Sequence, residues 1–166
     1  ADFLLDDSFR DCRRLVHVVL PAVKSNGRSE FAGCCSLRSV SLVASGIAHS
    51  AFAGCTRFAS ASLPCARCAE DNLFVGCTRL ESVSMPVATE VYDLSFRNCS
   101  NLTEVSLPAV RRVYANAFAC CVNLEAVSLP RLDSVDSTAF KRCRRLSKER
   151  ISAPEHVTNT LPDSFE

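Results

Sequence analysis

Phenylalanine recurs at Phe9, Phe31, Phe52, Phe74, Phe96, Phe118 and Phe140, at intervals of 22 residues apart from one of 21, and a cysteine follows each of them three residues later. A fixed period in the twenties is the signature of a solenoid. In such an array no repeat buries its own apolar face, stability comes from stacking on neighbours, and the product is a long surface rather than a single cleft. The clearest copies, 95–108 and 117–130, read A/S-F-x-x-C-x-x-L-x-x-V-x-L-P.

Aligned on the phenylalanine, the copies separate into columns by chemistry. Three residues on lie Cys12, Cys34, Cys55, Cys77, Cys99, Cys121 and Cys143, and three further on lie Leu15, Leu37, Phe58, Leu80, Leu102, Leu124 and Leu146. This three-residue spacing predicts one face of a short helical turn at a corner of each coil. Strict alternation follows, as in Val18-x-Leu20, Val40-x-Leu42, Ala61-x-Leu63, Val83-x-Met85, Val105-x-Leu107 and Val127-x-Leu129. A period of two predicts a strand with one face inward. Pro21, Pro64, Pro86, Pro108 and Pro130 close five of these segments, because proline has no N–H to give a ladder. Ala88 and Val91, Val110 and Val113, and Leu132 and Val135 then bring the chain back along an opposite wall. Equivalent strands pair in parallel about 4.8 Å apart, so seven coils make a slab about 34 Å long.

Where L-x-x-V-x-L-P joins A-F-x-x-C-x-x-L, the sequence resembles the BspA-like branch of leucine-rich repeat proteins, from Ser8 to about Val157. The resemblance implies a leucine-rich-repeat solenoid of about seven 22-residue coils, with a parallel β ladder on one face and short helical turns at the corner. It also implies a curved binding scaffold without catalysis, since members of that branch look like surface adhesins in some microbes and large expansions in protists. The commonest leucine-rich repeats place Asn or Cys soon after the strand, whereas here the thiol column lies in the corner.

Three copies depart from the pattern. Repeat two has lost one residue and its closing proline (Leu42-Val43-Ala44-Ser45-Gly46-Ile47), which predicts a bent or tightened return wall. Repeat three sets Phe58 beside Ala61, a large group compensating a small one. Repeat seven decays after Lys148. At the ends, Phe3 to Phe9 matches the closing part of a repeat, as in Val91 to Phe96, and Ser164-Phe165 opens an eighth copy. The expected organisation is a single solenoid over 1–166 with incomplete repeats at both ends, a segment of a longer protein.

A net charge of +1 argues against bulk electrostatic capture by nucleic acid or membrane, and no apolar run reaches the length of about 18 residues that insertion needs. Charge is nevertheless uneven. Lys141, Arg142, Arg144, Arg145, Lys148 and Arg150 put six cations in ten residues, and Arg10, Arg13 and Arg14 form a smaller cluster. Three readings of the larger cluster stand side by side: a solvated corner, a phosphate or RNA contact, and a contact for an acidic protein. No aromatic residue interleaves with these cations, which weakens base stacking as their purpose.

Of the eleven cysteines, seven occupy the apolar column and read as reduced, buried small hydrophobes. Cys35, Cys65, Cys68 and Cys120 lie outside it, and Cys65-Ala66-Arg67-Cys68 has the spacing of half a zinc knuckle without a second pair. No metal or other cofactor is expected. An odd number of thiols favours a reducing, intracellular compartment, the cell surface being the alternative.

Catalytic constellations do not assemble. His17 projects from the first strand and can face Ser39, yet no acid is placed to orient it. Glu81, Glu104 and Glu125 stand at successive strand beginnings, as solvated edge residues or as an acidic patch for a cation or an arginine-bearing partner. Gly33, Gly54 and Gly76 each precede a column cysteine and read as room at a tight corner. The outward strand position holds Ser41, Ser62, Ser84, Ser106 and Ser128, bracketed by Val19 and Arg150, and keeps the sheet face flat and accessible. The chain therefore reads as a non-enzymatic scaffold, a structural or assembly subunit of a larger intracellular complex, binding other proteins through the serine face and the basic corner. A BspA-like adhesin and an RNA-contacting subunit of a ribonucleoprotein are the alternatives, and no small-molecule substrate is implied.

Overall fold

The fold comes from a computed structural model that describes residues 3–20, 24–25, 27–44 and 46–166. In chain order the strands are β1 (Phe3–Leu4), β2 (His17–Leu20), β3 (Lys24–Ser25), β4 (Ser39–Leu42), β5 (Ser60–Ser62), β6 (Cys68–Ala69) and β7 (Ser82–Ser84). They continue as β8 (Glu90–Val91), β9 (Glu104–Ser106), β10 (Arg112–Val113), β11 (Ala126–Ser128), β12 (Ser134–Val135) and β13 (Ile151–Ser152). Helix is confined, among the described residues, to a 3-10 turn at Lys148–Arg150 and a short α1 (Glu155–Thr158).

The alternating segments form one wall, parallel throughout, because like segments one coil apart meet in the same direction and register. Val18, Val40, Ala61, Val105 and Val127 point inward and are buried, as are Leu42, Leu63, Met85, Leu107 and Leu129. The wall is made of two sheets, β2-β4-β5-β7 and β9-β11-β13, with the ladder interrupted between β7 and β9. Val83 on β7 is only half-buried. Exposed Pro64, Pro86, Pro108 and Pro130 end the strands and occupy the second place of a turn, closed by bonds such as Val110 N–H to the Leu107 carbonyl at 3.2 Å. Pro21 falls outside the described residues.

The return wall is a second parallel ladder, β6-β8-β10-β12, with β1 and β3 paired separately. Its strands are two residues long and contribute one inward side chain each; the other comes from the preceding turn. That is why the sequence shows a three-residue spacing here and no alternation. Repeat two, shortened by one residue, adds no strand to this wall among the described residues, although Ala44 and Ile47 are buried. Ser45, at the deletion, lies outside the described residues.

The corner is built of successive turns rather than a wound helix. Cys121 N–H bonds the Phe118 carbonyl at 3.1 Å and Leu124 N–H the Cys121 carbonyl at 3.0 Å, so each three-residue step is one turn. In the first six coils the residues two before and two after the phenylalanine are left-handed, as at Asn72 (φ 57°) with Gly76 (73°) and Asn116 (53°) with Cys120 (62°), and in the seventh Arg142 (63°) is; they prevent helical propagation. Gly54 and Gly76 owe their place to this backbone rather than to crowding, since a Cβ there would meet nothing nearer than 4.0 Å.

Inside, the phenylalanines stack from Phe9 through Phe140 with ring centroids 4.9–5.5 Å apart. Phe58 fills the space beside Ala61, 5.3 Å from the Phe52 ring and 5.9 Å from that of Phe74. Each buried column cysteine donates its thiol to the phenylalanine carbonyl of the preceding coil, at 3.0–3.3 Å. The column thus needs a small apolar side chain that is also a weak donor, which cysteine is. All eleven cysteines are free thiols. At the far end Phe165 meets Phe140 edge-on (5.5 Å, 68°), and Ser147 and Ser164 form an antiparallel bridge.

Candidate functional site

The strand wall presents two outward rows. Val19, Ser41, Ser62 and Ser84 are in register on one sheet, and Ser106, Ser128 and Ser152 on the other. Ser152, not Arg150, therefore continues the serine row, because repeat seven is longer between its strands and shifts the register. Arg150 instead closes the 3-10 turn before β13 and shares a depression with Ala126 and Glu104, while the second row runs His17, Ser39, Ser60 and Ser82 on the first sheet and Glu104 and Ala126 on the second. The face forms two shallow depressions, of 440 Å³ over the first sheet and 530 Å³ reaching from β7 across the second. The first is lined by serine, alanine and valine alone; the second carries Glu81, Glu104 and Arg150.

His17 Nδ1 lies 2.8 Å from Ser39 Oγ, the facing read from the sequence, and no carboxylate pairs with His17 among the described residues. Glu125 is separated from the other two strand-edge carboxylates by its ion pair with Arg145, at 3.1 Å. On the return wall Tyr92 and Tyr114 stack at 4.9 Å, and both hydroxyls reach Glu90, at 2.6 and 3.5 Å. The Tyr92 hydroxyl above all, with Arg112 at 3.0 Å, holds the Glu90 carboxyl below the usual carboxylate range. Spacing alone does not announce this cluster, because Glu90 and Tyr92 of one coil meet Arg112 and Tyr114 only when the next coil stacks on them.

The run of six cations divides among four surroundings. Lys141, Arg142 and Arg144 are exposed at the corner of the last coil. Arg145 pairs with Glu125, Lys148 Nζ lies 3.7 Å from Asp163, and Arg150 lies on the strand face. Arg142 and Arg144, with Leu146, Ser164, Phe165 and Glu166, line a cavity of 370 Å³. Arg97, Lys141 and Arg142 line a smaller one of 180 Å³ beside it.

Thiol chemistry follows burial. Desolvation raises the Cys55 and Cys143 thiols from 9.0 to about 12 and that of Cys34 to about 11, and pushes Cys77, Cys99 and Cys121 well up. Cys68 rises to about 12, through burial and its 2.9 Å bond to Glu70, whereas Cys65 is exposed. Among the described residues no group of three or more His, Cys, Asp or Glu side chains is arranged to hold a metal, and no helix is long and apolar enough to cross a membrane.

Similar folds occur in three bacterial proteins. A leucine-rich repeat protein from Bacteroides ovatus superposes with a TM-score of 0.81 at 23% identity, over 87% of this chain and 39% of its own. A leucine rich cell surface protein from Faecalibacterium prausnitzii gives 0.62 at 18% identity, over 95% and 60%. A leucine rich repeat protein from T. pallidum gives 0.55 at 24% identity, over 83% and 69%. The chain thus spans well under two thirds of the first of these structures. No curated protein matches it. The model of the BspA type leucine rich repeat region, in six copies, matches residues 4–90 and 67–166, and the chain belongs to that family.

Proposed function

We propose that the chain is a non-enzymatic protein-binding scaffold that engages its partner across the strand wall, as a structural or assembly subunit in a reducing compartment. The observation that carries this reading is the outward row Ser41, Ser62, Ser84, Ser106, Ser128 and Ser152, joined on the first sheet by Ser39, Ser60 and Ser82, whose small hydroxyl side chains let another protein approach the sheet closely. The leucine-rich-repeat fold supports a protein-interaction role in general, and free thiols at exposed Cys12 and Cys65 favour a reducing environment. A cell-surface adhesin is the second reading, favoured by the surface protein from Faecalibacterium prausnitzii that shares the fold.

A photo-crosslinking residue placed at Ser62 or Ser106, and as a control at Arg111 on the return wall, tests the face. Adducts to the same protein from Ser62 and Ser106, absent from Arg111, are expected; equal capture from all three positions would remove the strand wall as the binding surface. Mass spectrometry of the thiols in protein taken from its native source separates the two locations: free Cys12 and Cys65 fit the first, mixed disulfides or oxidation the second.

A further inference from the structure

Counted by their phenylalanines, coils 1 to 7 carry exposed charge unevenly along the edge where the corner runs into the strand wall. Two columns form this edge, five and seven residues after the phenylalanine. Arg145 of coil 7 shows how they meet, since it reaches back from the first column to Glu125, in the second column of coil 6, at 3.1 Å. The same reach finds no acid earlier in the stack. It takes Arg57 of coil 3 to Arg38 of coil 2, a like charge, and Arg79 of coil 4 to Ala59 of coil 3. The position that would serve Glu81 of coil 4 holds Asn101 of coil 5, and Glu104 stands at the start of β9. Arg14, Arg38, Arg57, Glu81 and Glu104 are all exposed, and among the described residues none of them has an ion pair.

The edge is thus divided by sign, with Arg14, Arg38 and Arg57 on coils 1 to 3 and Glu81, Glu104 and Glu125 on coils 4 to 6. Like charges in neighbouring coils repel, so coil stacking does not account for the arrangement. A two-fold axis parallel to the strands, passing between coils 3 and 4, does. It lays one wall on another with strand direction kept and coil order reversed, so that coil 1 faces coil 6, coil 2 faces coil 5 and coil 3 faces coil 4. Arg57 then comes opposite Glu81, Arg38 opposite Glu104 and Arg14 opposite Glu125, each offset by one or two places in the repeat. Arg79 comes opposite a like charge, Arg57. Beside this edge Ser62 meets Ser84 and Ser41 meets Ser106, side chains small enough for the two sheets to approach to about 10 Å or less. Val19 and Val43, 70% and 45% exposed, are covered at the same time.

We propose that the strand wall pairs with the strand wall of a second copy of this chain, reversed in coil order, with Arg57–Glu81 and Arg38–Glu104 contacts formed twice about the axis. The proposal deepens the strand-wall reading and rests on it. The central pairs lie on coils 2 to 5, which are stacked on both sides. Six facing coils at about 4.8 Å, over about seven residues at about 3.3 Å, cover about 650 Å² of each copy, and the total of about 1,300 Å² lies in the lower part of the range for specific pairs. A small polar interface with a charged edge makes a weak, reversible and salt-sensitive dimer.

The test is sedimentation equilibrium of the chain under reducing conditions, which keep exposed Cys12 and Cys65 from linking copies. A monomer–dimer equilibrium is expected, with a dissociation constant that rises with salt. Arg38→Glu with Arg57→Glu, or Glu81→Arg with Glu104→Arg, should raise that constant about tenfold or more by setting like charges face to face, while melting of the monomer stays unchanged. An equimolar mixture of the two double variants should form a dimer again, since every reversed charge then meets its opposite, a rescue that a purely structural role would not produce. Arg79→Gln should tighten the dimer. A photo-crosslinking residue at Ser106 should join β4 of the other copy, and one at Ser62 should join β7. A chain monomeric at every concentration, a mixture no tighter than its components, or a crosslink from position 106 to β9 of the other copy would overturn the pairing. Adducts from both positions to a different protein, with the chain itself monomeric, would remove the self-pairing and leave the wall as the binding surface; no adducts from either position would remove both.

Discussion

Phe96 is fully buried between Phe74 at 5.2 Å and Phe118 at 4.9 Å, so Phe96→Ala removes a core side chain and two stacked pairs at once. Truncating a buried phenylalanine costs about 3–5 kcal/mol, and stacked pairs contribute about 0.5–1.5 kcal/mol each beyond area burial. Phe9 belongs to the same column but is 37% exposed and has one stacked neighbour, Phe31 at 5.3 Å. Its truncation should cost about 1–2 kcal/mol. Against a total stability of about 5–15 kcal/mol the difference is large. Urea unfolding of both variants, read at a common slope, measures it, and amide exchange shows where protection is lost. In a nearest-neighbour stack, Phe96→Ala should deprotect the coils on either side of it most. Phe96→Leu, which keeps most of the volume and loses the stacking, should recover about half or more of the loss. Equal midpoint shifts for Phe9→Ala and Phe96→Ala would refute a shared aromatic column as the source of stability.

Leu107→Asp places an unpaired carboxylate in the core and should unfold neighbouring coils, whereas Ser106→Asp, on the exposed row, should shift the midpoint by less than about 1 kcal/mol; similar losses would show the faces to be misassigned. Burial raises the Cys55 and Cys143 thiols from 9.0 to about 12, so the folded chain keeps protons that the unfolded chain releases. That contribution is complete below pH 9 and declines as the pH climbs from about 9 to about 12; a urea midpoint that stays flat across this window would contradict it. Under native conditions a thiol reagent should label Cys12 and Cys65, and reach Cys77, Cys99 and Cys121 only after unfolding. Gly54→Ala should cost about 1–2 kcal/mol through its left-handed backbone, and Gly54→Asn less; equal stability of the two variants would mean that φ is not what selects glycine there.

The inward and outward assignment of the strand wall was legible because alternation there is a local property: Val105, Ser106 and Leu107 announce their faces within three residues. The corner misled in one respect. Phe118, Cys121 and Leu124 have helical spacing, yet left-handed Asn116 and Cys120 turn the chain between them, and asparagine and cysteine do not advertise that conformation as glycine does. The return ladder was hidden by brevity, since a two-residue strand has no period to detect. The basic run was visible as composition, but its division depends on Glu125 and Asp163, which lie in the neighbouring coil and in the closing segment. The placement of Arg150 turned on the extra length of repeat seven, and register across a gap is set by pairing, not by counting.

The two candidate surfaces differ in how they scale with repeat number. In the strand wall, parallel pairing sends N–H groups toward both neighbours: Leu63 donates forward to Ser84, while Ala59 donates back to Arg38. No net dipole accumulates there, and each added coil extends the face by about 4.8 Å. Recognition on that wall therefore depends on side chains and shape, and its reach grows with copy number. In the corner the backbone donors around each phenylalanine run forward, as Phe74 to Ser95 and Gly76 to Arg97 do, while the column thiols and Asn101 N–H donate back to the preceding coil. The depression over β2, β4, β5 and β7 has no charged lining residue, while Lys141, Arg142 and Arg144 are exposed at the corner of the seventh coil. A partner that used both surfaces would meet shape and small hydroxyl groups on the wall and charge at the corner.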